Sequence, residues 1–164
     1  MQKTDRIAYN GQLVSLGGHM LALEGVRILD LSMLVPGAFC TMLLGDLGAD
    51  VLKVEAPGVN ELRGSSRAVP KEEQQKAAAY YALDRNKKSI VVNLKSEAGR
   101  EIFYRLCQHA DVIVEGFRPG VAKRLRIDYE TISKLNPGIV YCSLSGYGQD
   151  GPYHTFPGHD INYI

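Results

Sequence analysis

Histidine is the side chain whose ordinary pKa lets it take and return a proton near neutral pH. The chain has four histidines, and His159 alone follows a glycine-rich loop and precedes a fresh apolar element, in Gly158-His159-Asp160-Ile161. His19 lies near the amino terminus, His109 near a helix end, and His154 between Pro152 and Pro157. Two readings compete for His159: an acid/base group at a ligand edge, or a helix-start residue bonded to its own turn. No second ligand stands at workable spacing, so no metal is expected.

Gly146, Gly148 and Gly151 match the spacing GxGxxG. A dinucleotide site needs a helix to begin within those glycines, so that its amides hold the pyrophosphate. Pro152 and Pro157 follow without a helical apolar period, which reads as a glycine-rich turn. The run Asp84-Arg85-Asn86-Lys87-Lys88 precedes a strand pattern; it is either a solvated face or a set of donors for phosphate. Lys95, at the carboxyl end of that strand, is better placed for a ligand than the run itself. Phe117-Arg118-Pro119-Gly120, with Arg124 beyond it, is either an ordinary Pro-Gly turn or an aromatic and two cations suited to an adenine and phosphates.

These residues need elements to hold them. Five continuous apolar runs read as parallel strands covered on both faces: Val26–Leu31, Val51–Glu55, Ser89–Leu94, Val112–Glu115 and Ile139–Leu144. Helical patterns alternate with them. Pro36 opens one, with Phe39, Met42, Leu43 and Leu47 expected on its inner face and Gly48 as its stop. Ser96 caps a second, whose inner face is expected to carry Ile102, Phe103, Leu106 and Cys107. Asp128 starts a third, and a weaker helix is expected over residues 71–82. The alternation predicts an α/β fold with a doubly wound, Rossmann-like parallel sheet. Ligands of such sheets bind beyond the carboxyl ends of the strands, which directs attention to the loops after Leu31, Glu55, Leu94, Glu115 and Leu144.

Composition narrows the class. The 164 residues carry 19 Lys+Arg and 18 Asp+Glu, a formal net charge of +1, with 45% hydrophobic residues. That balance predicts a globular domain and argues against an electrostatic nucleic-acid binder. No run approaches the roughly 18 apolar residues of a membrane span. Cys40, Cys107 and Cys142 sit far apart in apolar runs, as free buried thiols of a reducing cytoplasm do. Residues 1–20 lack a sustained apolar period and are expected to be a disordered extension, with the α/β domain over 21–164. The sequence stops at Ile164 just as a new apolar element begins, which suggests a piece of a longer protein.

Several long strings occur together and in order: LEGVRILDLS, PGAFCTMLLGDLGADVLKVEAPG, LDRNKKSIVVNLKSEAGRE, ADVIVEGFRPGVAKRL, LNPGIVYCSLSGYGQDGPY and PGHDINY. From about Leu21 onward the chain closely resembles the amino-terminal part of the class III CoA-transferases (CaiB/BaiF type). That family includes formyl-CoA and carnitine CoA-transferases and the 2-methylacyl-CoA racemases. The resemblance implies coenzyme A, bound as an acyl-CoA substrate, and no metal. Val92, Asn93, Leu94 and Lys95, with Gly116, Phe117 and Arg118, would flank the adenosine, and Lys95 and Arg124 would stand near phosphates. The stretch beginning at Gly158 would face the thioester. Many relatives carry Arg after the second strand, where this chain has Ala56.

The string GHDINY resembles the racemases, since many transferases place an aromatic residue at the histidine. In racemases the matching histidine and a later aspartate act as two acid/base groups on opposite faces of the α-carbon, so His159 is the expected catalytic residue. Asp160 would orient the site or offer its backbone N–H to the thioester oxygen. The transferases instead use the later aspartate as nucleophile and pass the acyl group, through a mixed anhydride, to a carboxylic acid acceptor. The resemblance thus implies racemase-like α-proton transfer first and CoA transfer second. A nonenzymatic CoA-binding module is a third reading, for the 164-residue piece alone. The full-length protein is expected to be a cytoplasmic homodimer with neither nucleic-acid nor membrane partners.

Overall fold

The computed structural model describes residues 6–9, 12–15, 21–58 and 82–162. The helix expected over 71–82 lies outside them, apart from Ala82. Strands β1 (Arg6–Tyr9) and β2 (Gln12–Ser15) pair antiparallel in a sheet of their own. Both strands lie within residues 1–20, the stretch expected as an extension before the α/β domain.

The main sheet has five parallel strands in the order β5-β4-β3-β6-β7. They are β3 (Arg27–Leu31), β4 (Asp50–Glu55), β5 (Lys87–Val91), β6 (Val112–Glu115) and β7 (Val140–Ser143). Helix α1 (Val35–Asp46) joins β3 to β4, and α2 (Glu97–Cys107) joins β5 to β6. Short helices α3 (Val121–Leu125) and α4 (Tyr129–Ile132) lie between β6 and β7, and a 3-10 turn covers Asp160–Asn162. The expected doubly wound fold is the observed one. From β3 the chain winds outward to β4 and β5, then returns to the other side of β3 for β6 and β7.

Two cores result from that winding, one on each face. Leu29, Leu31, Val54 and Ile113 pack with Phe103 and Cys107 of α2 and with Ile127 and Ile132 near α4. Ile28, Val51 and Val114 point the other way, toward α1 and Leu44. Ser96 caps α2 as expected: its Oγ accepts from the Gly99 N–H at 3.1 Å. The Tyr104 hydroxyl donates to the Arg126 carbonyl and the Tyr141 hydroxyl to the Ile127 carbonyl, fastening the α3–α4 link to α2 and β7.

Two expectations shift. Strand β5 begins at Lys87 rather than Ser89, because Val51 pairs with Lys87 and Glu55 with Val91, after which the chain turns into α2. The inner face of α1 is built from Gly37, Ala38, Thr41 and Met42, while Phe39, Leu43 and Leu47 are exposed. Likewise Phe103 and Cys107 are buried in α2 but Ile102 is exposed.

Burial pushes the Cys107 thiol up to about 12. Between about pH 9 and 12 an unfolded chain would lose this proton while the folded chain keeps it, so stability should fall as pH rises through that window. Thermal melts at pH 8 and pH 10.5 should show a larger loss for the native chain than for Cys107→Ala. Iodoacetamide should leave Cys107 unmodified until denaturant is added.

Candidate active site

A sheet wound in two directions from β3 opens a crevice where the winding reverses, between the loops leaving β3 and β6. A cavity of about 640 Å³ lies there. Three of the loops singled out from the sequence line it: the turn after β3, with Ser32 and Leu34–Gly37; the turn after β6, with Gly116–Pro119; and the loop after β7, with Leu144–Gly146, His154 and Phe156–His159.

The first wall is fixed from below by Asp30, which is wholly buried. One of its oxygens accepts from the Ser32 N–H at 2.9 Å and from the Ser32 hydroxyl. The other accepts from the Thr41 hydroxyl of α1 at 2.6 Å and from the Lys87 ammonium at 3.0 Å. Gly37 lets α1 start this close to the sheet: a Cβ there would fall 2.3 Å from the Ser32 Cβ. The second wall has the same construction. The buried Glu115 carboxylate, in the last residue of β6, accepts from the Phe117 N–H at 2.6 Å. The Phe117 ring then packs on the core beneath, and Arg118 is exposed.

The third wall is the glycine-rich loop. Gly148 and Gly151 take positive φ angles of 88° and 87°, which glycine adopts without strain, and no helix begins there. The phosphate-binding reading of GxGxxG is thus set aside in favour of a turn. His154 Nδ1 lies 2.7 Å from the Gly151 carbonyl; a bond there needs the proton on Nδ1 and leaves Nε2 as the acceptor of the neutral ring. The His159 N–H donates to the Asn162 side chain at 2.8 Å and the His159 carbonyl accepts from the Asn162 N–H, so His159 enters the 3-10 turn with an exposed side chain. Asp160 opens that turn.

Of the residues singled out from the sequence, Gly116, Phe117, Arg118, Gly158 and His159 thus meet in one cavity. Val92, Asn93, Leu94, Lys95 and Arg124 do not line it. Val92 is core. The Asn93 side chain accepts from the Lys95 N–H, and the Asn93 carbonyl accepts from the Ser96 N–H and hydroxyl, folding residues 92–96 into a tight turn at the edge strand. Lys95 is exposed on that turn, and Arg124 is exposed on α3. Strands β4 and β3 separate β5 from β6, so a ligand touching both Lys95 and Phe117 must span about 14 Å, three strand spacings.

The charged run, whose Lys87 and Lys88 open β5, divides between the surface, where Arg85 and Lys88 are exposed, and the interior, which takes Lys87. The Arg85 guanidinium pairs with Asp46, holding that carboxyl below its usual range, and Lys88 pairs with Asp50 at 2.7 Å. Lys87 turns inward to Asp30, and the buried Lys53 pairs with Asp84. The run is a set of tertiary ion pairs. Sequence reading missed Ser32 and His154 as cavity residues, although both lie in loops that the strand ends had marked. Among the described residues no cluster of His, Cys, Asp or Glu could hold a metal ion, and no helix is long and apolar enough to cross a membrane.

Comparison with known proteins gives this geometry a context. The model of CoA-transferase family III matches residues 23–164. An acyl-CoA transferase of Fusarium pseudograminearum is 42% identical over 92% of this chain and 34% of its own length. The human alpha-methylacyl-CoA racemase is 39% identical over 88% of this chain and 33% of its own. The crystal structure of a CAIB/BAIF family protein from Brucella suis superposes with a TM-score of 0.75 at 36% identity, over 86% of this chain and 38% of that one. The chain therefore spans about a third of the length of the curated relatives it matches.

The first wall can be tested through its glycine. Gly37→Ala should destabilise the chain by about 1–3 kcal/mol, the usual cost of overpacking. Gly45→Ala, in the same helix but with its nearest neighbour at 3.5 Å, should be neutral or gain up to about 1 kcal/mol of helix propensity. Urea unfolding of the two variants separates these outcomes.

Proposed function

The chain belongs to CoA-transferase family III, and from that premise we propose that the whole protein moves a proton at the carbon next to the carbonyl of an acyl-CoA thioester. The observation that carries this reading is His159, which lines the cavity where the winding of the sheet reverses. As a neutral imidazole it takes the α-proton, and the electron pair of the broken C–H bond passes to the thioester oxygen as an enolate. A second acid/base group on the opposite face returns a proton to carbon, inverting the centre. That second group is assigned to an aspartate further along the whole protein. Asp160 is given the orienting part, with its backbone N–H toward the thioester oxygen.

Coenzyme A would lie across the carboxyl ends of the strands. The turns Gly116–Arg118 and Val92–Lys95 would flank its adenosine, with Lys95 and Arg124 near phosphates. The distance between the β5 and β6 edges suits an extended ligand of this kind. The resemblance of the chain to transferases as well as to a racemase supports a second reading, in which the whole protein moves CoA between carboxylic acids through an aspartyl anhydride. A third is that the 164 residues alone bind CoA without catalysis. A homodimer in a reducing, cytoplasmic compartment completes the proposal.

Two measurements on the full-length protein test this assignment. His159→Ala should slow washout of α-deuterium from a 2-methylacyl-CoA by about 10²–10⁴-fold, the usual contribution of a general acid–base group. Washout near the native rate would remove the racemase reading, and CoA exchange into a free acid without washout would favour transfer. Lys95→Ala and Arg124→Ala should each weaken CoA binding by about tenfold or more, as loss of a charged hydrogen bond does. Calorimetry showing native affinity in both would remove the phosphate assignment.

A further inference from the structure

Lys87 is the least expected buried cation of the fold. Its side chain is 1% exposed and that of its partner Asp30 is 0% exposed. The ammonium donates to Asp30 Oδ2 at 3.0 Å, to the Ala38 carbonyl at 2.9 Å and to the Thr41 hydroxyl at 2.7 Å. All three of its hydrogens have acceptors. One residue of β5 thereby holds both β3 and the first two turns of α1, with β4 between them. The Asp84 carboxylate stands 3.9 Å from the same ammonium.

Neither Lys87 nor its three partners line the cavity, but Ser32, which Asp30 holds, does. Asp30 has one oxygen on Thr41 and Lys87 and the other on the amide and hydroxyl of Ser32. Ser32 and Gly37 line the cavity, and their close approach leaves no room for slack between the turn and the helix. Glu115 performs the equivalent office for the second wall through the Phe117 amide, with no lysine beside it among the described residues.

We infer that Lys87, acting through Asp30, is the positioning residue that fixes the Ser32–Gly37 wall of the cavity and so sets the affinity of the site for its ligand. In its CoA arm this rests on the acyl-CoA reading above. Without the ammonium, the Asp30 carboxylate is a buried charge lacking its counterion. It would draw in water or a proton, and either exchange loosens its bonds to Ser32 and Thr41. The ligand would lose affinity because its wall has moved, although Lys87 never touches it.

The test uses the full-length protein and three variants: Lys87→Met, Asp30→Asn/Lys87→Met, and Thr41→Val. In Lys87→Met, amide hydrogen exchange should speed by about tenfold or more across residues 32–38 and stay near native across 116–120. The CoA dissociation constant should rise by about tenfold or more, as displacement of a binding wall does. The double variant removes both charges and keeps an Asn oxygen to accept from Ser32, so both quantities should return toward native. If Lys87→Met does not fold, Thr41→Val decides, since it deletes one hydroxyl from the cluster and should speed exchange in the same segment.

The inference fails if exchange over 32–38 is native in a folded variant, or rises equally in every strand. It also fails if local exchange rises while CoA affinity stays native, or if the double variant keeps the whole loss of affinity. A native protein that does not bind CoA overturns the acyl-CoA reading, and the exchange measurements still decide whether Lys87 positions the wall.

Discussion

A carboxylate removed from water on every side costs several kcal/mol unless donors and a counter-charge replace its hydration. Asp30 sits in the middle strand of the sheet with no exposure at all, so its surroundings are constrained more tightly than those of any apolar neighbour. It needs a donor from the turn that follows β3, a donor from α1 and a cation. Ser32, Thr41 and Lys87 supply them from three separate elements. Such a cluster defines geometry more sharply than apolar packing, because donors and acceptors must meet within a few tenths of an ångström. Where β3 ends, how α1 begins and where β5 starts in register all depend on satisfying that one group.

The consequence for the cavity is that its walls are anchored from inside the sheet. Asp30 and Glu115 stand on the two strands that border the winding reversal, and each accepts from the backbone N–H two residues further on. A carboxylate bonded to that amide turns the chain out of the strand and away from its neighbour, which is how the crevice stays open. The two carboxylates face opposite sides of the sheet: Asp30 lies toward α1, and Glu115 is on the α2 side with Ile113. The loops therefore diverge in the directions their carboxylates dictate. The glycine-rich loop after β7 then closes the crevice from a third side, with His154 and His159 on it.

Much of this was legible in the sequence, and the failures share a cause. Strands β3, β4, β6 and β7 read correctly because continuous runs such as VIVE are what a sheet covered on both faces requires. The cap at Ser96 read correctly because its chemistry is local. The start of β5 did not, because Lys87 and Lys88 carry no apolar signal, and only pairing with β4 and, for Lys87, the distant Asp30 draws them into the sheet. The same long-range pairs hid the structural role of the charged run. His159 could be marked from its neighbours, whereas His154 became a cavity residue only through the course of a loop that two prolines made look like a bystander. Lys95 and Phe117 both follow strand ends, yet the sequence carried no measure of the two strands that lie between β5 and β6.

Helix α1 shows the constraint acting against the ordinary rule of burial. Its sequence, VPGAFCTMLLGD, is apolar on nearly all sides, so hydrophobicity alone does not choose the face that meets the sheet. Burying the largest side chains would favour Phe39, Leu43 and Leu47, and would also hold the helix further from β3. Thr41 could not then reach Asp30 at 2.6 Å, nor Lys87 the Ala38 carbonyl at 2.9 Å. The face that turns inward carries Gly37, Ala38 and Thr41, and the exposed side carries Val35, Phe39, Leu43 and Leu47 at intervals of four. Leaving Asp30 and Lys87 unpaired in the interior would cost several kcal/mol, which the inward Thr41 face avoids. Close approach to a buried charge, rather than apolar area, decides which way this helix faces.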